Sequence, residues 1–324
     1  MVFPQDESEA LMGASGSGHF VAQRHSAYPP EAHEVWRAVQ ARNSALIAEY
    51  GHKMHPAYIK GMRELQLPSC VPRIEQLNQQ LQRTGWRTVC VDGYIPSEVY
   101  ARLISECIFP ISRMVRRPEH IDFAPDPDLI HDVFGHLPML FSPEYRAYLK
   151  RFGEVMSRAE SNAYDVLYFS TVRRLAALES DPSSPASEIE KLRARMLEIL
   201  QAMAVDGSEL THLRRLYVWS IEFGIMGAAG DFAIHGAAFL SAPAEFRALC
   251  AAGDACLEPY GLSSIDNENA FTELLHRYFV ARDFEHLDEV LSAYERRMCR
   301  AASPTRPSGF REIVPTLEGC AAST

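Results

Sequence analysis

Residues 123–138 read FAPDPDLIHDVFGHLP, and this stretch decides how the chain is interpreted. It places His131 and His136 five residues apart in a short apolar segment that proline and glycine punctuate. Far downstream, Glu222 lies in an apolar and aromatic segment, LYVWSIEFG, at residues 216–224. Two imidazoles and one carboxylate are the ligands of mononuclear non-heme iron(II) oxygenases. If these three side chains converge, the sequence predicts an enzyme that uses dioxygen.

The spacing of the two histidines does not suit a regular α-helix. Side chains five residues apart on such a helix point about 140° apart, because each residue turns the helix by about 100°. The i, i+4 spacing of H-E-x-x-H, in contrast, puts both histidines on one face. Gly135 and Pro138 predict that the helix ends near His136, which would let its imidazole turn back towards His131.

Other interpretations of the same residues stay open at this point. Glu222 could pair with Arg214 or Arg215, since an unpaired buried carboxylate is costly, and the histidines could be hydrogen-bonded core residues. Zinc also accepts two histidines and a glutamate. A zinc hydrolase is disfavoured because the second histidine lies one residue further on than in H-E-x-x-H. A serine hydrolase is disfavoured because the chain has no G-x-S-x-G.

Composition restricts the class of protein. The chain has 324 residues, 47% of them hydrophobic, and a formal net charge of −10, as in an acidic globular protein. No basic tract and no apolar run of membrane-spanning length occurs, so neither nucleic acid nor a membrane is an expected partner. The 7 cysteines are scattered and form no C-x-x-C pair, which predicts free thiols and a cytoplasmic location.

Hydrophobic periodicity predicts a mainly α fold with a few short strands, one of them near residues 86–91. The polar residues 1–28 predict a disordered N-terminal tail, and the proline-containing residues 301–324 a loose C-terminal tail. Residues 29–300 form the single predicted catalytic domain, with no convincing linker inside it.

Several motifs resemble the pterin-dependent aromatic amino acid hydroxylase family, which includes phenylalanine, tyrosine and tryptophan hydroxylases. The similarity covers roughly residues 50–300. The motifs are P-D-x-x-H-D-x-x-G-H-x-P at 127–138, Y-x-x-x-x-E-F-G at 217–224, T-G-W-R with V-x-G at 84–93, and Y-F-V-A-R-D-F at 278–284. The resemblance implies the family's helical catalytic domain, iron(II) bound by His131, His136 and Glu222, a tetrahydropterin (tetrahydrobiopterin or a bacterial analogue), and dioxygen as co-substrate.

The resemblance also implies residues that contact the pterin. Gly93, Ile95 and Ser97 match a loop that binds it through backbone groups. Tyr100 stands where the family has an aromatic ring that stacks on the pterin. Asp132 replaces the more usual glutamate beside the first iron ligand, as an acid on the pterin side.

A second implied group contacts the amino acid substrate. Arg116 matches an arginine that pairs with the substrate carboxylate, a task that suits the planar guanidinium, and Asp128 matches the acid that orients it. Ser241 matches a serine near the substrate carboxylate and the first histidine.

Departures from the family pattern concern the substrate pocket. Ala124 stands where mammalian members have a substrate-contacting threonine. Val218 stands where a tryptophan is common, and Trp219, the next residue, is then the expected substrate contact. His235 and Ala238 replace a tyrosine and a glycine.

The distance in sequence between His136 and Glu222 is about twice that typical of the family. This predicts a helical insertion at about residues 160–205, as in a longer bacterial branch. A helical hairpin there could cover the site or mediate assembly.

The predicted function is ring hydroxylation of an aromatic amino acid, with phenylalanine to tyrosine as the default. The alternatives are the same reaction on tryptophan, at the meta position of phenylalanine, or on an amino acid of a secondary pathway. A more remote alternative is a non-catalytic relative that binds a ligand. No sequence resembling a regulatory domain or a tetramerising coiled coil is evident, so a monomer or small homo-oligomer is expected.

Overall fold

A computed structural model describes residues 19–122, 128–180, 183–228, 230–267 and 277–301. The described chain is mainly helical with a few short strands, which confirms the predicted fold class. Ala124 lies outside the described residues, as do residues 1–18 and 302–324 of the two predicted tails. The predicted domain boundaries therefore stay predictions.

The described residues form eleven α-helices. In chain order they are α1 (Pro30–Tyr50), α2 (Pro56–Leu65), α3 (Ile74–Leu81), α4 (Ser97–Ser105), α5 (Pro143–Met156), α6 (Ala163–Ser180), α7 (Ala186–Val205), α8 (Glu209–Tyr217), α9 (Ala237–Ser241), α10 (Pro243–Ala252) and α11 (Phe284–Ala301). Proline occupies the first position of α1, α2, α5 and α10, where its missing N–H leaves no partner unsatisfied. Side chains of Ser142 and Ser208 cap α5 and α8.

Two small sheets complete the domain. Strands β1 (Arg87–Val91) and β2 (Ile108–Ser112) pair in parallel, and α4 connects them. Strands β3 (Ile225–Ala228), β4 (Asp231–Ile234), β5 (Leu257–Pro259) and β6 (Tyr278–Ala281) form a second sheet in the order β4-β3-β6-β5. Strand β1 corresponds to the strand predicted near residues 86–91, and its carboxyl end leads into the loop that contains Gly93.

The segment with the two histidines lies in the middle of the core. Phe134 is fully buried, and its ring packs 4.9 Å from that of Trp36 in α1. A 3-10 helix, Leu137–Phe141, continues the segment and packs against α2. Tertiary contacts from several helices therefore fix the backbone that carries both imidazoles.

Helices α6 and α7 form a helical hairpin within the predicted insertion and pack against each other. Ion pairs Arg174–Glu188 and Arg193–Glu179 join the two helices. The exposed Val166, 65% accessible, lies on this hairpin.

Residues 19–28, which the sequence assigned to the tail, contact the domain. The backbone N–H of Val21 donates to the carbonyl of Cys90, and that of Asp92 donates to the carbonyl of His19. His25–Ala27 form a short 3-10 helix. The N-terminal part of the described chain therefore runs along the end of β1.

Two features of the structure bear on the cellular setting. Five cysteines are free, namely Cys70, Cys90, Cys107, Cys250 and Cys256. None of the helices in the described part of the chain is both long and apolar enough to cross a membrane.

Candidate metal centre and adjoining cavity

Both predicted histidine ligands lie in a π-helical segment, His131–His136. The N–H of Leu137 donates to the carbonyl of Asp132, five residues earlier. The wider turn brings side chains five residues apart close to the same face, which a regular α-helix cannot do. The π-helical segment does end at His136, as expected, but the chain continues as a 3-10 helix, and the wider turn rather than the helix end brings the two imidazoles together.

Glycine at position 135 is a requirement of this packing. A Cβ atom there would lie 2.6 Å from the carbonyl oxygen of Ala237 and 2.8 Å from its Cβ. Helix α9, which contains Ala237, crosses the π-helical segment at that point. Gly135 therefore allows the close approach that also brings Ser241, at the end of α9, beside His131.

Glu222 ends a second π-helical segment, Val218–Glu222, which continues α8. Its carboxylate lies 3.2 Å from the Nε2 atoms of both His131 and His136, and the two Nε2 atoms lie 3.2 Å apart. The donor atoms of the three side chains lie within 4.8 Å of one another, so together they could hold one metal ion. Two imidazoles and one carboxylate would occupy one face of such an ion and leave its other positions open.

Hydrogen bonds on the far side of each imidazole orient these donors. The Ser241 hydroxyl lies 2.9 Å from Nδ1 of His131 and donates to the carbonyl of Ala237 at 2.8 Å. Because that hydroxyl proton is used, the hydroxyl accepts from Nδ1–H, which leaves Nε2 with its lone pair for a metal. Nδ1 of His136 lies 3.3 Å from the Tyr145 hydroxyl.

Electrostatics also suits a cation between these groups. Burial raises the pKa of Glu222, but the two imidazoles outweigh it and hold that pKa well below its usual range. Burial lowers the pKa of His136. Burial acts the same way on His131, yet the charge of Glu222, with those of Asp132 and Asp128, raises the net pKa of His131. The pKa values of the two histidines shift in opposite directions because Asp132 and Asp128 act on His131, whereas the charge of His131 further lowers the pKa of His136.

Glu222 contacts the histidines rather than either arginine considered from the sequence. Arg215 donates to the carbonyls of Ile265 and Met203. The Arg214 guanidinium lies 3.9 Å from the centre of the Tyr168 ring. A carboxylate held between two imidazoles fits a metal ligand better than a structural ion pair.

A cavity of about 560 Å³ opens on this triad. It is lined by every residue predicted to contact a pterin, namely Gly93, Ile95, Ser97, Tyr100 and Asp132. Residues of α6 and α8 complete its wall. The volume is typical of small-molecule sites.

Two of the predicted pterin residues have defined partners. Asp132 Oδ2 accepts a hydrogen bond of 2.7 Å from the backbone N–H of Ser112, and burial raises the pKa of Asp132 to about 7. The Tyr100 hydroxyl contacts the hydroxyl of Tyr217. The ring of Tyr100 lies edge-on to those of Tyr217 and Phe109, which leaves it at the cavity wall.

The predicted substrate residues Arg116 and Asp128 form a buried ion pair, with Nη2 and Oδ1 2.8 Å apart. Nη1 of Arg116 donates to the carbonyl of Ser241 at 3.0 Å. Neither member of the pair is among the described residues that line the cavity, whereas Ser241 is. The pair therefore lies behind Ser241, close to His131.

Trp219 faces away from the cavity. Its indole N–H donates to the carbonyl of Asn267, and its ring packs 5.0 Å from that of Phe279. Val218 lines the cavity instead, as does Ala238. The expected substrate contact of Trp219 thus has no support in the structure, because its ring packs in the core and Val218 takes the position at the cavity.

Several site residues had no signal in the sequence. Tyr145 contacts His136, and the Phe109 ring lies 4.8 Å from the same imidazole. Both come from other elements, α5 and β2, and only the tertiary fold brings them to the metal centre. The same holds for Tyr168 and Phe169 of α6, which line the cavity.

Comparison with known proteins places the chain in a family. It matches the family model for biopterin-dependent aromatic amino acid hydroxylases over residues 21–173 and 196–305. The unmatched residues between these segments lie inside the predicted insertion. All three predicted ligands and the whole pterin loop lie inside the matched segments.

Curated relatives are phenylalanine-4-hydroxylases. The protein of Caulobacter vibrioides is 26% identical over 227 residues, which are 69% of this chain and 61% of that protein. The protein of Chromobacterium violaceum is 23% identical over 291 residues, covering 89% and 82%. That of Ralstonia nicotianae is 27% identical, and the match spans only 55% of its length.

Solved structures share the fold. A crystal structure of Chromobacterium violaceum phenylalanine hydroxylase, with bound iron(III) and 7,8-dihydrobiopterin, superposes with a TM-score of 0.66 at 23% identity. The superposition covers 98% of both chains. The apo phenylalanine hydroxylase of Colwellia psychrerythraea gives 0.64 at 20% identity, over 87% of this chain and 93% of that one. With the family match over most of its length, the chain belongs to the biopterin-dependent aromatic amino acid hydroxylases.

Proposed function

We propose that the chain is an iron(II)- and tetrahydropterin-dependent monooxygenase that hydroxylates the ring of an aromatic amino acid. The observation that carries the proposal is the convergence of His131, His136 and Glu222 within 3.2 Å of one another. They converge on a cavity that the pterin-loop residues also line. Membership of the family supports the same reaction class.

The residues present fit both groups. Two imidazoles with oriented Nδ1 atoms and one carboxylate would hold iron(II) and leave a face open to the cavity. The pterin would be held by Gly93, Ile95, Ser97, Tyr100 and Asp132. When bound, iron and pterin together supply the activation of dioxygen, chemistry that side chains alone cannot perform.

The chain itself contributes binding, orientation and exclusion of water. Asp132 presents a carboxyl group that can bond a pterin ring N–H, while Ser112 fixes its other side. Arg116 has five N–H donors, and its Nη1 and Nη2 each retain one N–H beyond the contacts made with Asp128 and Ser241. The family resemblance assigns the substrate carboxylate to this edge, with Asp128 keeping the guanidinium in place; because the pair is buried behind Ser241, binding requires the edge to become exposed to the cavity.

Phenylalanine is the default substrate because the relatives carry that name. Val218 and Ala238 line the cavity at positions that depart from the family pattern. A test of substrates should therefore include tryptophan, and a test of products should include hydroxylation at the meta position of phenylalanine. A cytoplasmic location and a monomer or small homo-oligomer are part of the proposal as well.

The decisive experiment is anaerobic loading of the full chain with iron(II), followed by dioxygen, tetrahydrobiopterin and a panel of phenylalanine, tyrosine and tryptophan. Mass spectrometry should find one added oxygen on one amino acid, and NMR should give its ring position. His131→Ala should abolish product, whereas His212→Ala should keep it. His212 is a matched control because it is half-buried and contacts Tyr294, away from the metal centre.

Two results would contradict the proposal. Product formation at the wild-type rate in His131→Ala would mean that the triad is not the catalytic metal site. Iron binding by the wild-type chain with no hydroxylated product from any of the three amino acids would favour a non-catalytic, ligand-binding relative.

A further inference from the structure

The hairpin α6–α7 lies beside the loop that the proposed pterin would contact. The carbonyl of His19 accepts from the N–H of Asp92, at the start of that loop, and the His19 ring contacts the ring of Phe169 edge-on at 6.4 Å. Phe169 and Val172 of α6 line the same cavity as Gly93. A ligand held by the loop therefore faces the hairpin.

Arg214 brings a positive charge to this part of the cavity. It is half-buried, lines the cavity, and stacks on Tyr168 with the guanidinium carbon 3.9 Å from the ring centre. Stacking on an aromatic face fixes a guanidinium while its N–H groups remain directed outward in its plane. No carboxylate within the described ranges forms an ion pair with it.

The acid that the hairpin contributes to this cavity contacts hydroxyl groups and forms no ion pair with Arg214. Asp165, the acid of α6 in this cavity, accepts hydrogen bonds from the hydroxyls of Ser208, at 2.6 Å, and Thr211, at 2.9 Å. Arg215 is directed to the carbonyls of Met203 and Ile265. Of the two arginines among the described residues that line the cavity, Arg215 is held by carbonyl groups and Arg214 is stacked on an aromatic ring. We therefore take Arg214 as the partner for an incoming anion.

We propose that Tyr168, Phe169, Val172 and Arg214, named here the Arg214 corner, bind an anionic 6-substituent of the pterin. The proposal rests on the proposed function, since the pterin ring must occupy the Gly93 loop. Apolar and aromatic side chains would contact a spacer, and the guanidinium would pair with a terminal carboxylate or phosphate. The substrate carboxylate is the less suitable occupant, because the family resemblance assigns it to Arg116, which lies behind Ser241 on the His131 side of the cavity.

Binding of two dihydropterins tests the Arg214 corner without turnover. The titrants are 7,8-dihydrobiopterin, whose 6-substituent is neutral, and 7,8-dihydrofolate, whose 6-substituent has an aromatic ring and two carboxylates. Calorimetry on the full chain, loaded with iron(II) anaerobically, should show dihydrofolate binding about tenfold or more tightly than dihydrobiopterin, the effect of one charge-assisted contact.

Arg214→Gln should weaken dihydrofolate about tenfold and change dihydrobiopterin less than about twofold. Tyr168→Leu, which keeps the charge but removes the stacking partner, should give a smaller loss with dihydrofolate alone. Arg173→Gln is the matched control: this arginine is exposed on the same hairpin, contacts His19, and is not among the described residues of the cavity wall. It should change neither affinity.

Three outcomes would overturn the inference. Equal affinity of the wild-type chain for both dihydropterins would show that the corner does not recognise an anion. Equal loss of both ligands in Arg214→Gln would mean that Arg214 only supports the structure. Weakened L-phenylalanine binding with unchanged dihydrofolate would assign Arg214 to the substrate. If neither dihydropterin bound the wild-type chain, the proposed function itself would fail, and the inference with it.

Discussion

Ser241→Ala tests whether an outer hydrogen bond prepares the metal site. The Ser241 hydroxyl donates to the carbonyl of Ala237 and therefore accepts from Nδ1–H of His131, at 2.9 Å. Without that oxygen, the tautomer that offers the Nε2 lone pair to a metal loses its partner. The imidazole is also no longer held in the orientation that points Nε2 at Glu222.

The magnitude follows from the nature of this contact. Partners behind a metal-bound histidine typically change metal affinity by about 10- to 100-fold, or about 1.4 to 2.8 kcal/mol. The variant also leaves a buried Nδ1–H without an acceptor, which costs about 1–3 kcal/mol of folding stability. The metal affinity and the free energy of unfolding should thus both fall.

Ser220→Ala separates the two effects. Ser220 and Ser241 are both buried, and each hydroxyl donates to the carbonyl four residues earlier, Leu216 for Ser220. Ser220 also accepts from the Tyr148 hydroxyl, but neither contact reaches a predicted ligand. Ser220→Ala should therefore lose stability in a similar range and keep its metal affinity.

Anaerobic competition between the protein and a chromophoric chelator for iron(II) gives the affinity, and urea unfolding gives the stability. The reasoning about the tautomer is refuted if Ser241→Ala binds iron(II) within about twofold of Ser220→Ala while both variants remain folded at the assay temperature.

Three further substitutions probe other parts of the argument. Gly135→Ala would force a Cβ to 2.6 Å from the Ala237 carbonyl, so it should cost about 1–3 kcal/mol in urea unfolding and weaken iron(II) binding; an unaltered affinity would mean that α9 does not position the histidines. Burial lowers the pKa of His235 to about 3. Below pH 6.5 the unfolded chain therefore takes up a proton that the folded chain does not, and the free energy of unfolding decreases as the pH is lowered. Between pH 6.5 and 5.5 the wild-type chain should lose about 1 kcal/mol more than His235→Gln, and parallel pH profiles would contradict this. Trp219→Phe removes the hydrogen bond to the Asn267 carbonyl, so it should cost about 1 kcal/mol of stability. It should leave the KM for the amino acid within about twofold of the wild-type value. A large rise in KM would instead mean that Trp219 contacts the substrate.

Residue chemistry allowed the helical fold and the identity of the ligand set to be predicted. Hydrophobic periodicity indicates helices without any tertiary information, and proline at the first position of α1, α2, α5 and α10 agrees with a local steric rule. Two histidines and a glutamate in apolar surroundings likewise indicate a metal, because such groups are rarely buried without compensation.

The side-chain directions at the centre could not be predicted in the same way. A period of 3.6 residues assigns faces correctly only while the helix stays regular. At His131–His136 the wider turn brings both imidazoles to one face, whereas a regular helix would separate them by about 140°. At Val218–Glu222, by contrast, a spacing of four residues places Val218 on the cavity side with Glu222, and Trp219 enters the core. The stacking of Arg214 on Tyr168 could not be predicted from the sequence either, because it depends on how the inserted hairpin packs on α8.

Both ligand-bearing segments are π-helical, and this shared geometry explains why the site needs so much surrounding structure. A π turn is rare because a regular helix is the more stable alternative for most sequences. At His131–His136 the alternative would point one imidazole out of the site, and the contacts that prevent this come from α1, α2 and α9 rather than from the segment itself. At Val218–Glu222 the N–H of Phe223 donates to the carbonyl of Val218, and the same turn directs Glu222 at both imidazoles. The three donors therefore converge because the core holds two unusual backbones in place, so substitutions that displace either π-helical backbone, as Gly135→Ala would, should alter metal affinity as well as stability.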